Sequence, residues 1–164
     1  MTPRLPLPDD ATASPALRAT YAAARERSGS VMAILRAMGP RAEVVDAFVA
    51  FADAALYGSA ALGRRERELV AVTVSRANGA AYSRQVHERL LEKLGGDTGS
   101  AADRALVAFA RRLPLAPSDA DDALAELREH LTGDEVHDAI AVVGLMSLAN
   151  RAALATGISE EDDL

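Results

Sequence analysis

The strongest constraint on the fold is the helix predicted over residues 64–78, whose middle is apolar on nearly every side. Its middle, residues 69–74, reads LVAVTV. A helix that is hydrophobic all round is buried at the centre of a protein. Residues 139–148 are similarly apolar, within a helix predicted over 134–155. We therefore expect the last helix to pack against this central one.

Cap and breaker residues divide the rest of the chain into further helices. Ser14 with Pro15 opens the first helix, Ser100 caps the sixth, and Thr132 with Glu135 forms a capping box for the last. The predicted helices cover about residues 15–28, 31–38, 42–56, 64–78, 80–94, 101–113, 119–130 and 134–155. The apolar residues of the third helix that we expect in the core are Val45, Phe48, Val49, Phe51 and Ala52.

No alternating strand pattern is found along the chain. We predict an all-α helical bundle of about seven to eight helices, forming a single domain over residues 14–157. An extended arm over residues 1–13 is expected before it, and an acidic tail over residues 158–164 after it. Aromatic residues make up only 4% of the sequence and alanine is abundant, which favours closely packed helices over sheets.

Charge and hydropathy limit the partners and the compartment. The net charge is −6 and no basic stripe is present, so we expect no nucleic-acid partner. The first 13 residues contain prolines and no apolar run, so they do not resemble a signal peptide. No stretch approaches the ~20 apolar residues needed to span a bilayer. We expect a soluble, cytoplasmic protein without a membrane partner.

One carboxylate and one histidine are the candidates for chemistry. Glu68 begins the apolar run of the central helix, and His87 lies on the next helix. A carboxylate can set the tautomer of an imidazole and make it a general base. The structural alternatives are that Glu68 interacts with its helix dipole and with a nearby arginine (Arg64, Arg65 or Arg67), and that His87 only packs.

Three further positions accompany this pair. Ala80, Ser83 and His87 stand at i, i+3 and i+7, so they share one helical face. Ser83 can form a hydrogen bond with His87, or can simply fill volume. Tyr82 can line a pocket and donate a proton, or can belong to the core. A nucleophilic triad of Ser83, His87 and Glu68 is disfavoured, because the strained turn that presents such a serine is missing.

The other histidines do not indicate a metal site. His130 ends a polar helix, where a cation suits the dipole. His137 follows Asp134 at i+3, but no second Glu-x-x-His is present to complete a carboxylate-bridged site. The glycines form no phosphate-binding loop. We therefore expect neither a metal nor a cofactor.

The register of these residues resembles a known signature. In the carboxymuconolactone decarboxylase and alkylhydroperoxidase D-like superfamily, a Glu is followed by eleven residues, Cys, two residues, Cys, three residues and His. Glu68 and His87 match this pattern, whereas Ala80 and Ser83 occupy the two cysteine positions. Residues 3–6, 31–38, 62–70 and 146–151 are also similar to peroxidase-related members of the superfamily.

The resemblance implies an alkylhydroperoxidase D-like helical fold that assembles into homo-trimers or hexamers and binds a small-molecule substrate. Members with the cysteine pair reduce hydroperoxides, and members without it use proton transfer to decarboxylate a lactone. This chain has no cysteine, so thiol chemistry is excluded. The leading hypothesis is therefore acid–base chemistry on a small, carboxylated or other organic substrate, with His87, Glu68, Ser83 and Tyr82 at the site.

Two alternatives stay open. One is an antioxidant enzyme of the alkylhydroperoxidase type whose cysteines were lost naturally or by replacement. The other is a binding or assembly protein that keeps only the fold. The sequence does not identify the substrate, the pathway or the oligomer size.

Overall fold

The chain folds into helices connected by short loops in a computed structural model that describes residues 4–158. The helices are α1 (Pro15–Ser28), α2 (Ala33–Ala37), α3 (Ala42–Ala52), α4 (Arg64–Ala77), α5 (Ala81–Lys93), α6 (Ala101–Arg112), α7 (Asp121–Leu127) and α8 (Gly133–Thr156). No strand occurs between residues 4 and 158. The prediction of an all-α bundle of seven to eight helices is confirmed.

The predicted central helix is α4. Its residues 67–75 are buried without interruption, and it packs against α5, α6 and α8. Each fully buried Val or Leu contributes about 1.5–3 kcal/mol to folding. The hydroxyls of Thr73 and Ser75 donate to the carbonyls of Leu69 and Ala71, each at 2.8 Å, so these polar groups are satisfied within the helix. The expected packing of the last helix against the central one is also found.

The predicted helix starts agree with the caps seen in the structure. The hydroxyl of Ser14 accepts from the backbone N–H of Leu17 at 3.2 Å, and that of Ser100 accepts from Asp103 at 3.0 Å. Thr132 and Glu135 form the reciprocal capping box at the start of α8. Such caps each contribute about 1 kcal/mol, because they pair backbone donors that a helix start leaves free.

The third helix differs from the prediction. It ends at Ala52 and continues as a π-helical turn, Asp53–Tyr57, which the backbone N–H of Gly58 closes by donating to the carbonyl of Asp53 at 2.6 Å. Val45 and Phe48 are buried as expected, but Phe51 is 39% exposed, so its placement in the core was wrong. Phe51 lies beside the buried stripe of α3 and not within it.

The polar helix is shorter than predicted. A 3-10 turn, Pro117–Asp119, contains Ser118, and α7 begins only at Asp121 and ends at Leu127. Pro117 favours the tight turn because its φ is already close to the helical value. Residues 159–164, which are most of the predicted acidic tail, lie outside the described residues, as do residues 1–3 of the arm.

An ion pair connects the first turn of α4 to α6. Arg65 donates through Nη1 and Nη2 to Asp103 at 2.9 and 2.7 Å, and through Nη1 to the carbonyl of Gly96 at 3.0 Å. Thr98 donates its backbone N–H and its hydroxyl to the same carboxylate. The Arg65 guanidinium holds the pKa of Asp103 well below its usual range. This clamp fixes the end of α4 that carries Glu68.

Helix α8 is long and apolar enough to cross a bilayer by length and composition alone, contrary to the expectation for the whole sequence. Half of its most apolar window is buried inside the domain, as in a core helix of a soluble helical protein. Its packing against α4 accounts for the buried half of this apolar character. The cytoplasmic location stays a prediction.

Candidate functional site

Glu68 lies in the second turn of α4 and is completely buried. One carboxylate oxygen, Oε1, accepts from both Nε (3.0 Å) and Nη2 of Arg64, one helical turn earlier. The other, Oε2, is 2.7 Å from Nδ1 of His87. Both oxygens of the buried carboxylate are therefore paired with cationic or polar partners.

A tight turn brings His87 to this carboxylate. Helices α4 and α5 are joined by residues 78–80, so the second helix runs back along the first. Gly79 has a φ of +69°, in the left-handed region that favours glycine, and the backbone N–H of Ala80 donates to the carbonyl of Ser75 at 2.9 Å. Asn150 of α8 donates to Asn78 at 3.1 Å and ties the turn to the bundle.

The electrostatics of the pair favour an ionised Glu68. Burial on its own would raise the pKa of this carboxyl, but the hydrogen bond and charge of His87 and those of Arg64 outweigh burial and lower it. An ionised carboxylate only accepts hydrogen bonds, so Nδ1 of His87 carries a proton. Consequently Nε2 is the ring nitrogen that is able to take up or release a proton.

His87 lies in the wall of a cavity of about 430 Å³. The cavity is enclosed by α1, α2, α3, the π-helical turn, α5 and α8. Most of its lining is apolar: Ala24, Met32, Ile34, Leu35, Phe48, Val49, Ala52, Leu56, Val86, Leu90, Leu145, Met146 and Ala149. In this apolar lining His87 is only 7% exposed, which strengthens any interaction with its charge.

The polar groups of the inner wall come from one helix, α5. They are Tyr82, Ser83 and His87, all of which are buried. The hydroxyl of Tyr82 accepts from the backbone N–H of Ile34 at 3.3 Å, which anchors its ring to α2. Within residues 4–158, neither the Ser83 hydroxyl nor Nε2 of His87 has a hydrogen-bond partner. Both are available to a molecule in the cavity.

The exposed lining residues mark the mouth of the cavity. Arg27 of α1 and Asp53 of the π-helical turn form an ion pair at 2.6 Å, and both side chains are about half exposed. Tyr57 lies nearby, with the Arg64 guanidinium 4.5 Å above the centre of its ring. This cation–π contact connects the mouth to the Arg64–Glu68–His87 chain.

The structure brings together Glu68, His87, Ser83 and Tyr82, and their catalytic roles stay predictions. Of the two former thiol positions, Ser83 lines the cavity, whereas Ala80 is buried at the start of α5 and is not part of the lining. The exposed His130 and His137 are also not part of it. No group of three His, Asp or Glu side chains among residues 4–158 is arranged to hold a metal ion.

Among the three candidate arginines, only Arg64 pairs with Glu68. Arg65 binds Asp103, and Arg67 donates to the carbonyl of Gly58 at 2.9 Å. Arg67 is almost fully buried, and this burial lowers the pKa of its guanidinium. Its Nε has no hydrogen-bond partner among the described residues. The i, i+4 spacing of Arg64 and Glu68 was a readable signal for the correct pair.

The sequence analysis did not identify the residues at the mouth of the cavity. Arg27, Asp53 and Tyr57 carry no recognisable spacing relative to Glu68 or His87, and they meet the site only through packing of α1 and the π-helical turn. A π-turn is often found at functional sites. No residue pattern in the sequence predicted one here.

Comparison with known protein families agrees with the resemblance seen in the sequence. The family model described as the carboxymuconolactone decarboxylase family matches residues 42–113, which include Glu68 and His87. No curated protein matches the sequence.

Several solved structures have the same fold. An uncharacterized peroxidase-related protein from Ralstonia eutropha JMP134, with an alkylhydroperoxidase core, is 26% identical, with a TM-score of 0.83 over 99% of this chain and 94% of that one. An uncharacterized peroxidase-related protein from Silicibacter sp. TM1040 is 24% identical, with a TM-score of 0.81 over 98% and 91%. A cysteine-to-alanine variant of the debrominase Bmp8, in complex with 2,3,4-tribromopyrrole, is 18% identical, with a TM-score of 0.74 over 99% and 94%.

Proposed function

We propose that the chain is a cysteine-free member of the carboxymuconolactone decarboxylase and alkylhydroperoxidase D-like superfamily and acts as a proton-transfer enzyme; the family match over residues 42–113 and the peroxidase-related structures of the same fold support this proposal. Its substrate is a small organic molecule held in the cavity beside His87. The observation that carries this proposal is the 2.7 Å contact between Nδ1 of His87 and Oε2 of the buried Glu68, with Nε2 left free of partners within residues 4–158.

In the proposed reaction His87 is the base. Nε2 removes a proton from an acidic C–H or O–H of the substrate, while Nδ1 keeps its proton toward Glu68. The imidazolium that forms is stabilised by the adjacent carboxylate, which Arg64 keeps ionised. The same proton then returns to another atom of the substrate or of its product. Proton transfer by a positioned side chain typically contributes about 10²–10⁴-fold to the rate.

Ser83 supplies the complementary hydrogen bond. Its hydroxyl lies one turn before His87 on the same wall of the cavity and has no partner among the described residues. It can donate to the oxygen on which negative charge develops when the proton leaves. Tyr82, anchored by the backbone of Ile34, lies on this wall as well and completes the polar patch.

A base in an apolar cavity can be tested with 5-nitrobenzisoxazole, a neutral planar probe. Removal of its C–H proton converts the C=N bond to a nitrile as the ring N–O bond breaks, and the electron pair goes to oxygen to give the coloured 2-cyano-4-nitrophenolate. We expect saturable acceleration by the wild type, and its loss in His87→Ala. The matched control, His137→Ala, removes an exposed histidine away from the cavity and should keep the wild-type rate.

Two results would refute the proton-transfer proposal. One is an equal rate for wild type and His87→Ala, which would favour a non-catalytic binding or assembly protein. The other is a wild type that does not accelerate the reaction at all. If the wild type accelerates the reaction and His87→Ala does not, candidate lactones and keto acids are compared in the same two proteins to find the physiological reaction.

Peroxide reduction is the second candidate, because the similar structures include peroxidase-related proteins and position 83 lies beside His87 in the cavity wall. The double variant Ala80→Cys/Ser83→Cys should then consume peroxide in the presence of a dithiol reductant. The single variant Ser83→Cys is its control, because it cannot form the intramolecular disulfide. No gain in the double variant would reject this candidate.

We also propose that the chain forms a homo-trimer or hexamer, as the superfamily resemblance implies. Large apolar side chains on the outer faces of α3 and α8 support this proposal. They are Val44, Phe51, Ile140 and Leu148, and each is exposed in the single chain. Exposed apolar patches of this kind are commonly covered by a partner.

A further inference from the structure

We propose, on the basis of the proposed function, that the cavity binds an uncharged, mainly apolar molecule of one or two rings with a single polar group. The Arg27–Asp53 ion pair at the mouth sets this preference, because it leaves no unpaired cation to receive a carboxylate. This inference disagrees with the hypothesis, drawn from the sequence, that the substrate carries a carboxylate.

The size of the cavity fits such a molecule. A closed apolar cavity of about 150 Å³ holds one benzene molecule. The cavity beside His87 has about 430 Å³, which is enough for two fused rings with one substituent.

The distribution of polar groups indicates where the substituent lies. Tyr82, Ser83 and His87 all project from α5, while the facing walls contributed by α3 and α8 are apolar. Inside the cavity a ligand therefore meets hydrogen-bonding groups on the α5 side, and the other polar lining residues lie toward the mouth: Arg27, Ser28, Asp53 and Tyr57. A second polar group placed against α3 or α8 would be buried without a partner, which is costly.

The charges around the cavity disfavour an anion. Among the described lining residues Arg27 is the only arginine or lysine, and it is paired with Asp53 at 2.6 Å. Arg64, behind the wall, is held by Glu68 and stacked on Tyr57. A carboxylate placed against His87 would approach the buried, ionised Glu68, so it would be repelled as well as desolvated.

Equilibrium binding of 2-naphthamide and 2-naphthoate, measured by calorimetry at neutral pH, tests the inference. The two probes have nearly the same shape and differ in charge. We expect wild type to bind the amide about tenfold or more tightly than the carboxylate, since like-charge contacts and desolvation penalise the anion.

Substitution of the mouth residues changes the preference in a defined direction. Asp53→Asn keeps the side-chain shape but frees Arg27, so naphthoate affinity should rise several-fold and the ratio should shrink. Arg27→Met leaves Asp53 unpaired, so naphthoate should bind even more weakly while the amide is little affected. Asp119→Asn is the control, because its ion pair with Arg112 is of similar exposure and lies away from the cavity.

The outcome is separate from that of the proton-transfer test. His87→Ala should still bind the amide, even though it has lost the base. Naphthoate binding as tight as that of the amide in wild type would overturn the inference, and so would failure of both probes to bind. A ratio that Asp53→Asn does not change would refute the role of the mouth.

Discussion

Replacement of Glu68 by glutamine is the most informative perturbation of this protein. The amide keeps the shape of the carboxylate, but it has one acceptor and one donor where the native site requires two acceptors, for Arg64 and for Nδ1 of His87. If the amide oxygen faces Arg64, the NH₂ group faces Nδ1, which must give up its proton. The proton then moves to Nε2, and His87 can no longer act as a base toward the cavity.

The expected cost can be worked out from these contacts. Hydrogen bonds to charged groups contribute about 1.5–3 kcal/mol each, and the three at Glu68, two from Arg64 and one from His87, are lost or weakened. The remaining amide bond and the partial exposure of Arg64 reduce the loss, so we expect about 2–4 kcal/mol less stability. For a chain of this length the melting temperature should fall by about 5–15 °C.

The loss should also depend on pH with a definite sign. The pKa of Glu68 is lowered in the folded protein, so its contribution is present above the ordinary pKa of a glutamate and disappears as pH falls through the lowered value. The difference between wild type and Glu68→Gln should therefore be largest near neutral pH and should shrink below about pH 4.

The assay combines thermal unfolding by circular dichroism with the 5-nitrobenzisoxazole rate. Glu66→Gln is the matched control, because Glu66 lies on the same helix and pairs with Arg65 at 2.8 Å from a more exposed position. It should cost no more than about 1 kcal/mol and leave the rate unchanged. A Glu68→Gln variant with the stability and rate of this control would refute the reasoning.

Two further predictions concern the scaffold and the assembly. Asp103→Asn should cost about 2–3 kcal/mol, because the neutral amide weakens the clamp to Arg65 and Thr98. The pKa of Asp103 is lowered in the folded protein, so the loss of stability in Asp103→Asn should be full near neutral pH and should diminish below about pH 4. Chemical denaturation of both proteins at several pH values measures this difference. Leu148→Glu, on the exposed face of α8, should shift the native mass toward the monomer. Leu115→Glu changes an exposed leucine in a loop and should not shift it. An unchanged mass in both variants would contradict the proposed role of α8 in the assembly.

The helices and their order were largely predictable from the chain. Caps such as Ser14, Ser100 and Thr132 act on the nearest backbone donors, so their effect is local and readable. The all-round apolar character of α4 determined that it is central. The pairing of Glu68 with His87 could be anticipated because the turn between α4 and α5 is short, so spacing along the sequence translates into position in space.

The remaining features depend on how distant helices pack. No local pattern showed that Phe51 lies beside the core, or that the chain forms a π-helical turn after Ala52. The cavity and its mouth at Arg27 and Asp53 arise where α1 and the π-helical turn meet, and no spacing along the sequence relates these two residues to Glu68 and His87. The sequence alone determined the helical fold and the acid–imidazole pair, because helix caps and apolar patterns act locally and the short turn between α4 and α5 converts sequence spacing into position. The tertiary structure decided the volume, polarity and charge of the space beside that pair, because these depend on side chains that only packing brings together.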